Sequence, residues 1–323
     1  MPEQVDFHHQ PVLLEESLGF LCGPEPESLV GTVVDCTVGL GGHAIEILRR
    51  CPRVHLVAVD RDAEALARAR RRLEPWSERT LFVHCEYHRV RESCAALGIE
   101  LERPVLGILA DLGVSSMQLD DAQRGFSFRW DAPLDMRMDT SRGRTAADLV
   151  ADASGDELVK ILKEYGEERH ARRIARRIVE RREEEPIETT GQLRDLVHAA
   201  VPTPPRSRQK GRSIDPATRT FQALRLEVNQ ELAGLEQFLE QSIDMLDTEG
   251  RLVVISYHSL EDRIVKHSLR RRSIGEIDPV TGRERAETRL VELLTRKPVR
   301  PSDEEVQSNP RSRSARLRAA KRL

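Results

Sequence analysis

Long apolar runs are missing from this sequence. The longest unbroken stretch of strongly apolar residues is Leu252 to Ile255, far short of the roughly 18 residues that a membrane-spanning helix requires, so no membrane association is expected. No Lys or Arg occurs before Arg49, and the opening segment therefore has neither the basic start of a secretory signal nor the Arg-rich face of an organellar transit peptide. Both absences point to a protein of the cytoplasm. Cysteine is sparse as well. Cys22, Cys36, Cys51, Cys85 and Cys94 form an odd set with no CxxC pair, which argues against a disulfide scaffold and a zinc site. His8 and His9 are adjacent, but no third ligand accompanies them, and no metal is expected. Lysine is scarce too: six of the 51 basic residues are Lys and the rest are Arg. Codon usage accounts for such a ratio, so the positions of the Arg carry more information than their number. What remains, 39% hydrophobic and 33% charged residues in a chain of 323, suits a soluble protein with one or two buried cores.

Acidic residues close a series of short apolar runs. Asp35 follows Thr32 to Val34, Asp60 follows Val54 to Val59, Glu86 follows Thr80 to Cys85, and Asp111 follows Val105 to Ala110, at separations of 25, 26 and 25. One strand, one returning helix and their turns occupy about that length. The segments between read as helices, Ala63 to Leu73 most clearly, with Leu66, Ala69 and Leu73 on one face. Four such units imply a parallel sheet, and right-handed crossovers bring all four acids to the carboxyl edge, where open α/β sheets bind ligands. The rhythm then stops. The next strand, Arg251 to Tyr257, begins 140 positions after Asp111, so an inserted domain is expected over residues 120–225, between sheet-forming segments 1–119 and 226–323. Its patterns are helical. Leu158, Ile161, Leu162 and Tyr165 mark one amphipathic face, and Ile174, Ala175, Ile178 and Val179 mark another. Thr189 with Gln192 resembles a capping box. Asp215 and Pro216 open a helical stretch reaching Leu246, with a break near Gly234. Val12 to Leu21 predicts a further helix covering the ligand cleft.

Between the first strand and the first crossover helix lies Asp35-Cys36-Thr37-Val38-Gly39-Leu40-Gly41-Gly42-His43. Glycines let a backbone approach a ligand closely, and the helix start beyond them offers unpaired N–H groups and a positive dipole end. Gly39, Gly41 and Ala44 match G-x-G-x-x-A, which nicotinamide and S-adenosylmethionine enzymes share. Asp60 ends the second strand, where an acid takes both ribose hydroxyls, and either cofactor has that ribose. Asp111-Leu112-Gly113-Val114-Ser115-Ser116 ends the fourth. An acid there suits an exocyclic amine, whose lone pair is delocalised into its base and which needs an acceptor to draw off N–H density and align the nitrogen. Tyr87, just past the third strand, is placed to lie against an adenine. His258 ends the fifth strand on the same edge, either as acceptor of the amine proton, as an RNA contact, or as a hydrogen-bonded loop histidine.

Nine motifs, in order, closely resemble the bacterial small-subunit ribosomal RNA cytosine-N4 methyltransferases. They are His9-x-Pro11-Val12-Leu13-Leu14; the Asp35 to His43 turn; Asp111 to Ser116 with Gln118; Arg124 to Phe128; Leu134 to Met138; Tyr165 to Glu168; Thr218 to Arg225; Ser256 to Arg263; and Asn309 to Ser314. The resemblance runs from His8 to about Arg318. It implies a doubly wound, mostly parallel α/β sheet of the class I, Rossmann-like methyltransferase type with an inserted all-helical domain. It also implies S-adenosylmethionine as cofactor and, as substrate, the N4 amine of one cytosine in the decoding centre of 16S ribosomal RNA. Carried over, the cofactor contacts are Gly41, Gly42, His43, Asp60, Tyr87, Asp111 and Gln118. Tyr87 stands where the family commonly has Phe, and Ala44 where Ser is common. No Pro-Pro-aromatic follows Asp111, unlike other amino-methyltransferases. Asp111 and His258 are the candidate catalytic residues. A nicotinamide dehydrogenase would leave the loop after strand four idle, and an assembly factor without catalysis would not need an intact cofactor site.

Basic residues bunch in three places. Arg169, Arg172, Arg173, Arg176, Arg177, Arg181 and Arg182 fall in one predicted helix, Pro205 to Arg225 carries six basic residues, and Pro310 to Leu323 carries six and no acid. Arg172, Arg173, Arg176, Arg177, Arg219, Arg225, Arg311 and Arg313 are therefore the candidate RNA phosphate contacts, with a solvated helix face and a disordered basic tail over 310–323 as the alternatives. Gly125 to Trp130 either stacks an unstacked base or plugs a hydrophobic gap at the domain boundary. A monomer and a homodimer are equally compatible with the sequence.

Overall fold

The computed structural model describes residues 10–98, 104–202 and 215–323. His8, His9 and the Arg206 to Arg212 part of the second basic cluster lie outside them. Seven strands, β1 (Gly31–Asp35), β2 (Val54–Asp60), β3 (Thr80–His84), β4 (Val105–Asp111), β5 (Arg251–Ser256), β6 (Val291–Leu293) and β7 (Arg316–Arg322), form one sheet in the order β3-β2-β1-β4-β5-β7-β6. The first five are parallel, and β7 runs antiparallel between β5 and β6. This is the doubly wound, mostly parallel sheet of the class I methyltransferase type. Among the described residues no helix is long and apolar enough to cross a membrane.

The central strands are apolar throughout because both sheet faces are covered. Successive side chains point to opposite faces, and the burial follows that alternation. Val33, Leu56, Leu109, Val253, Ile255 and Leu317 join one core with α1 (Leu14–Cys22), α2 (Gly42–Arg50) and α3 (Ala63–Arg72). Val34, Val57, Ile108, Leu252 and Val254 join the other, which also takes Val90 and Cys94 from α4 (Val90–Ala96). Asp62 starts α3 by accepting the N–H groups of Glu64 and Ala65, a side-chain cap that satisfies two orphan donors.

The chain divides into two compact units, Met1–Gly113 with Leu232–Leu323, and Val114–Glu231. The second unit is helical: α5 (Ser116–Asp120), α6 (Ala146–Asp152), α7 (Gly155–Glu164), α8 (Ala171–Glu184), α9 (Thr190–Ala200) and α10 (Ala217–Val228). Leu149, Leu158, Leu162, Ile174, Ile178, Leu193, Val197 and Leu224 form its core with Leu134 and Met136. The unit extends past both expected bounds, 120 and 225. At its end Asn229 accepts the N–H of Met138 and donates to the Met136 carbonyl, each at 2.7 Å. Arg225 and Glu231 pair across the same turn. That turn, with Gln230 at φ +49°, ends α10 at Val228, and α11 (Leu235–Met245) starts directly after Gly234, so the helical stretch is broken where expected. Two more helices, α12 (Ser259–Arg272) and α13 (Asp303–Ser308), complete the first unit.

The C-terminal segment is not a basic extension. β7 buries Leu317, Ala319 and Ala320, and Arg318 and Arg316 both reach Asp262 of α12, at 2.7 and 3.4 Å. Of the basic residues in this segment only Arg311 and Arg313 are exposed, on the helical turn Pro310–Ser314. Asp262→Ala leaves the buried Arg318 guanidinium without its carboxylate and is expected to cost roughly 3 kcal/mol in urea unfolding. Arg313→Ala should change stability by less than about 0.5 kcal/mol. Equal effects of the two substitutions would contradict the buried pair.

Candidate active site

The carboxyl edge of β1, β2 and β4 gathers three acids. Asp35 is buried, and its Oδ1 accepts the N–H of Thr37 at 3.1 Å. Burial pushes its carboxyl up to about 7, and the neighbouring Asp111 and Asp60 add to the rise. Asp60 accepts the N–H of Gly39 on Oδ2 and of Asp62 on Oδ1, both at 2.8 Å. Burial raises it to about 6, with those two bonds opposing. Each carboxylate oxygen has a second lone pair, so Asp60 still has acceptor capacity for a pair of hydroxyls. Between them runs the glycine turn. Gly39 and Gly41 have φ of +52° and +81°, a left-handed backbone that favours glycine. Gly42 lies under Pro11, where an added Cβ would meet the ring at 2.5 Å.

Asp111 ends β4. Its backbone N–H donates to Thr37 Oγ1 at 2.6 Å, tying the strand end to the turn. Its Oδ1 accepts the hydroxyl of Tyr257 at 2.8 Å, and its Oδ2 lies 3.9 Å from Nδ1 of His43. Burial lifts the Asp111 carboxyl to about 7, Tyr257 opposes the rise, and Glu261 adds to it. His43 is buried and its Nε2 lies 3.1 Å from the carbonyl of Val12. A carbonyl only accepts, so that nitrogen carries a proton and Nδ1 is the one turned to Asp111. His43 is the one basic side chain within ion-pair distance of Asp111 among the described residues. Tyr87 follows β3, its ring edge-on to Phe238 with centroids 5.0 Å apart.

The other sequence-derived residues fall elsewhere. His258 caps α12: Nδ1 accepts the N–H of Glu261 at 3.4 Å, and Nε2 lies 3.1 Å from Glu261 Oε1. That capping bond suits the loop-histidine alternative, and the side chain bonded to Asp111 is Tyr257. Gln118 belongs to the second unit, where it completes a capping box with Ser115. Arg225 makes a two-point bond to Glu231, at 2.8 and 3.0 Å, so its guanidinium is committed to the fold and it leaves the phosphate-binding set. Arg219 is exposed and donates to the carbonyl of Glu167 at 3.4 Å. On α8, Arg176 and Arg177 share Glu180 at 3.6 and 3.7 Å, and Arg182 bonds the carbonyls of Val150 and Ala153. Arg172 and Arg173 are exposed with no ion-pair partner among the described residues. Phe126 is buried and Phe128 packs edge-on to Phe221, which makes them a hydrophobic plug, while Trp130 is 55% exposed.

A model of the MraW methylase family matches residues 6–323. The chain belongs to the MraW methylase family. Three proteins named ribosomal RNA small subunit methyltransferase H are similar along nearly its whole length. That of Pseudarthrobacter chlorophenolicus is 45% identical over 329 residues, covering 100% of this chain and 97% of the relative. That of Cyanothece sp. is 51% identical over 293 residues, covering 91% and 88%. That of Symbiobacterium thermophilum is 48% identical over 324 residues, covering 98% and 97%. The acidic edge of this MraW methylase suits the cofactor of a methylase. S-adenosylmethionine brings a sulfonium and an ammonium, which three carboxyls attract, whereas a nicotinamide dinucleotide brings a pyrophosphate, which they repel. Among the described residues no cluster of His, Cys, Asp or Glu is arranged to hold a metal ion.

Residues missed from the sequence, Tyr257 and Thr37, stood inside quoted motifs. Their signal is register: Ile255 of β5 pairs with Asp111, which carries Tyr257 to the end of β4. The raised carboxyls also couple the site to stability. Between about pH 4 and 7 the folded chain keeps a proton on Asp35 that the unfolded chain has lost, so stability falls as pH rises through that window. Asp35→Asn, which keeps the shape without the charge, is expected to flatten that fall by more than about 1 kcal/mol between pH 5 and pH 8 in urea unfolding. An unchanged slope would show that Asp35 does not titrate there.

Proposed function

We propose that this protein methylates the N4 amine of a cytosine in 16S ribosomal RNA, in the decoding centre of the small ribosomal subunit or its late precursor, with S-adenosylmethionine as methyl donor. The observation that carries the reading is the edge formed by Asp35, Asp60 and Asp111 beside the Gly39 to Gly42 turn, in a chain that matches one family along nearly its whole length. When bound, the cofactor supplies a methyl group made electrophilic by a positive sulfur. Gly41, Gly42 and His43 would line the turn that holds it, Asp60 would take its ribose hydroxyls, and Tyr87 would lie against its adenine. Gln118 is a further contact in this reading. Asp111 accepts an N–H of the cytosine amine, which draws density toward nitrogen and directs its lone pair. The ionised form of Asp111 is the stronger acceptor, and the Tyr257 hydroxyl opposes the rise that burial imposes on it.

Arg172, Arg173, Arg176 and Arg177 of α8, Arg219 of α10, and Arg311 with Arg313 are the phosphate contacts. The Glu180 pairs do not prevent this, because exposed ion pairs are weak and a phosphate offers the same guanidinium a stronger partner.

The deciding experiment is methyl transfer from labelled cofactor to 30S particles that lack the modification, followed by mapping of the methylated base. Label on any group other than a cytosine N4 would overturn the reading. Asp60→Ala should weaken cofactor binding by roughly 1.5 to 3 kcal/mol in calorimetry. Asp111→Asn should lower turnover on the order of a hundredfold at saturating cofactor, whereas a variant whose only defect is weaker cofactor binding would reduce Asp111 to a binding residue. Replacing Arg172 and Arg173 by Ala should flatten the salt dependence of RNA binding by roughly 0.7 to 0.9 per lost contact and leave cofactor affinity alone. An unchanged salt slope would return α8 to a solvated face.

A further inference from the structure

We infer that Tyr257 is a positioning residue for methyl transfer, its hydroxyl fixing the direction and the charge of the Asp111 carboxylate. The inference rests on the reading of Asp111 as acceptor for the amine. Asp111 sits among groups that pull it both ways: His43 from α2 faces Oδ2 at 3.9 Å, Glu261 of α12 and Asp35 of β1 are like charges nearby, and Tyr257 is the hydrogen-bond donor on Oδ1. The phenol takes one of the two acceptor positions of Oδ1, and His43 stands 3.9 Å from Oδ2, so the bond holds the carboxylate plane and with it the directions of the lone pairs that remain.

The surroundings hold Tyr257 in that task. Its backbone N–H donates to Glu261 Oε2 at 2.9 Å. Its ring lies against Gly113, where an added Cβ would stand 3.3 Å from Tyr257 Cδ2 and where φ is +98°, so the glycine keeps open the room the ring occupies. Ile255, two residues earlier, is paired with Asp111 in the sheet. The phenol is a dependable donor. Burial, and then the charges of Asp111, Glu261 and Glu305, push its ionisation far above the ordinary tyrosine value, so the proton stays on the phenol oxygen at any pH the cell reaches. A donor that never titrates favours the charged form of its acceptor. Without it, burial and Glu261 act on Asp111 unopposed, and the carboxyl is neutral over more of the pH range.

The test has one arm without cofactor or turnover. In ligand-free protein labelled with ¹³C at the aspartate carboxyl, the Asp111 resonance, identified by its loss in Asp111→Asn, is titrated by NMR. Tyr257→Phe, which keeps the ring and its packing, is expected to raise the midpoint by about one pH unit. Incorporating 3-fluorotyrosine at position 257 makes the phenol a stronger donor and should lower it, so the assignment is testable even if the Phe variant folds poorly. In the second arm, the acid limb of the kcat profile should follow the same displacements, with cofactor affinity at pH 9 unchanged. A midpoint that moves in neither variant overturns the assignment of Tyr257. A midpoint that moves while the kcat profile stays fixed overturns the role given to Asp111, and with it the part of Tyr257 in methyl transfer.

Discussion

Three carboxyls brought close together with little positive charge to balance them are the constraint around which this sheet is organised. Asp35, Asp60 and Asp111 end neighbouring strands, and their register puts them on one edge. Holding them there costs free energy chiefly through burial, which raises each carboxyl, and at Asp35 the charges of Asp111 and Asp60 add to the rise. The cost is offset locally by donors that do not titrate: the N–H groups of Thr37, Gly39 and Asp62, and the hydroxyl of Tyr257. It is offset globally by two apolar cores that cover both faces of the strands and keep the edge from relaxing. A neutral edge would fold more easily but would have nothing to attract a cationic cofactor or to draw on an amine.

The spacing of acids foretold the parallel strands because a strand, a helix and two turns have nearly fixed length. It did not foretell environment. Glu86 follows the same spacing, yet β3 is the outer strand, and Glu86 lies 3.3 Å from Arg61 and 3.6 Å from His88 in place of joining Asp35, Asp60 and Asp111. Equal intervals along a chain do not give equal places in a sheet: β3 ends at His84, the partner of Asp60, and Glu86 lies two residues beyond it. The bond between Tyr257 and Asp111 was hidden for a related reason. The two residues are 146 positions apart, and their meeting depends on the pairing of β4 with β5, which no local pattern encodes. His258, the adjacent residue with the more familiar proton chemistry, stood out in the sequence, whereas the structure gives it a helix to cap.

Arginine was the harder residue to read. A guanidinium at the end of a long stem binds a phosphate, a carboxylate or a row of carbonyls equally well, and the sequence records the charge without the partner. Arg225, Arg316 and Arg318 belonged to basic clusters and turned out to hold the fold through Glu231 and Asp262. β7 was obscured by the same ambiguity, because the apolar Leu317, Ala319 and Ala320 are embedded among basic residues that mimic a solvated tail. Arg172 and Arg173 differ in one respect that only coordinates reveal: they lie on the face of α8 opposite Ile174 and Ile178, exposed and without an ionic partner among the described residues.

Protons and a cationic ligand compete for the same carboxyls. While the edge is empty of positive charge, burial favours the protonated forms, which spare the fold the repulsion between Asp35, Asp60 and Asp111. A sulfonium or ammonium placed beside them favours the ionised forms instead, so ligand binding and ionisation of the edge reinforce one another. On the proposed reading of Asp111 as acceptor for the amine, it would be a stronger acceptor with the methyl donor present than before. Tyr257 biases that same equilibrium toward the charged form in advance, since its hydrogen bond is made whether or not a ligand has arrived. If the edge binds the methyl donor as proposed, its readiness for chemistry is coupled to its occupancy, a coupling that burial and charge are enough to supply.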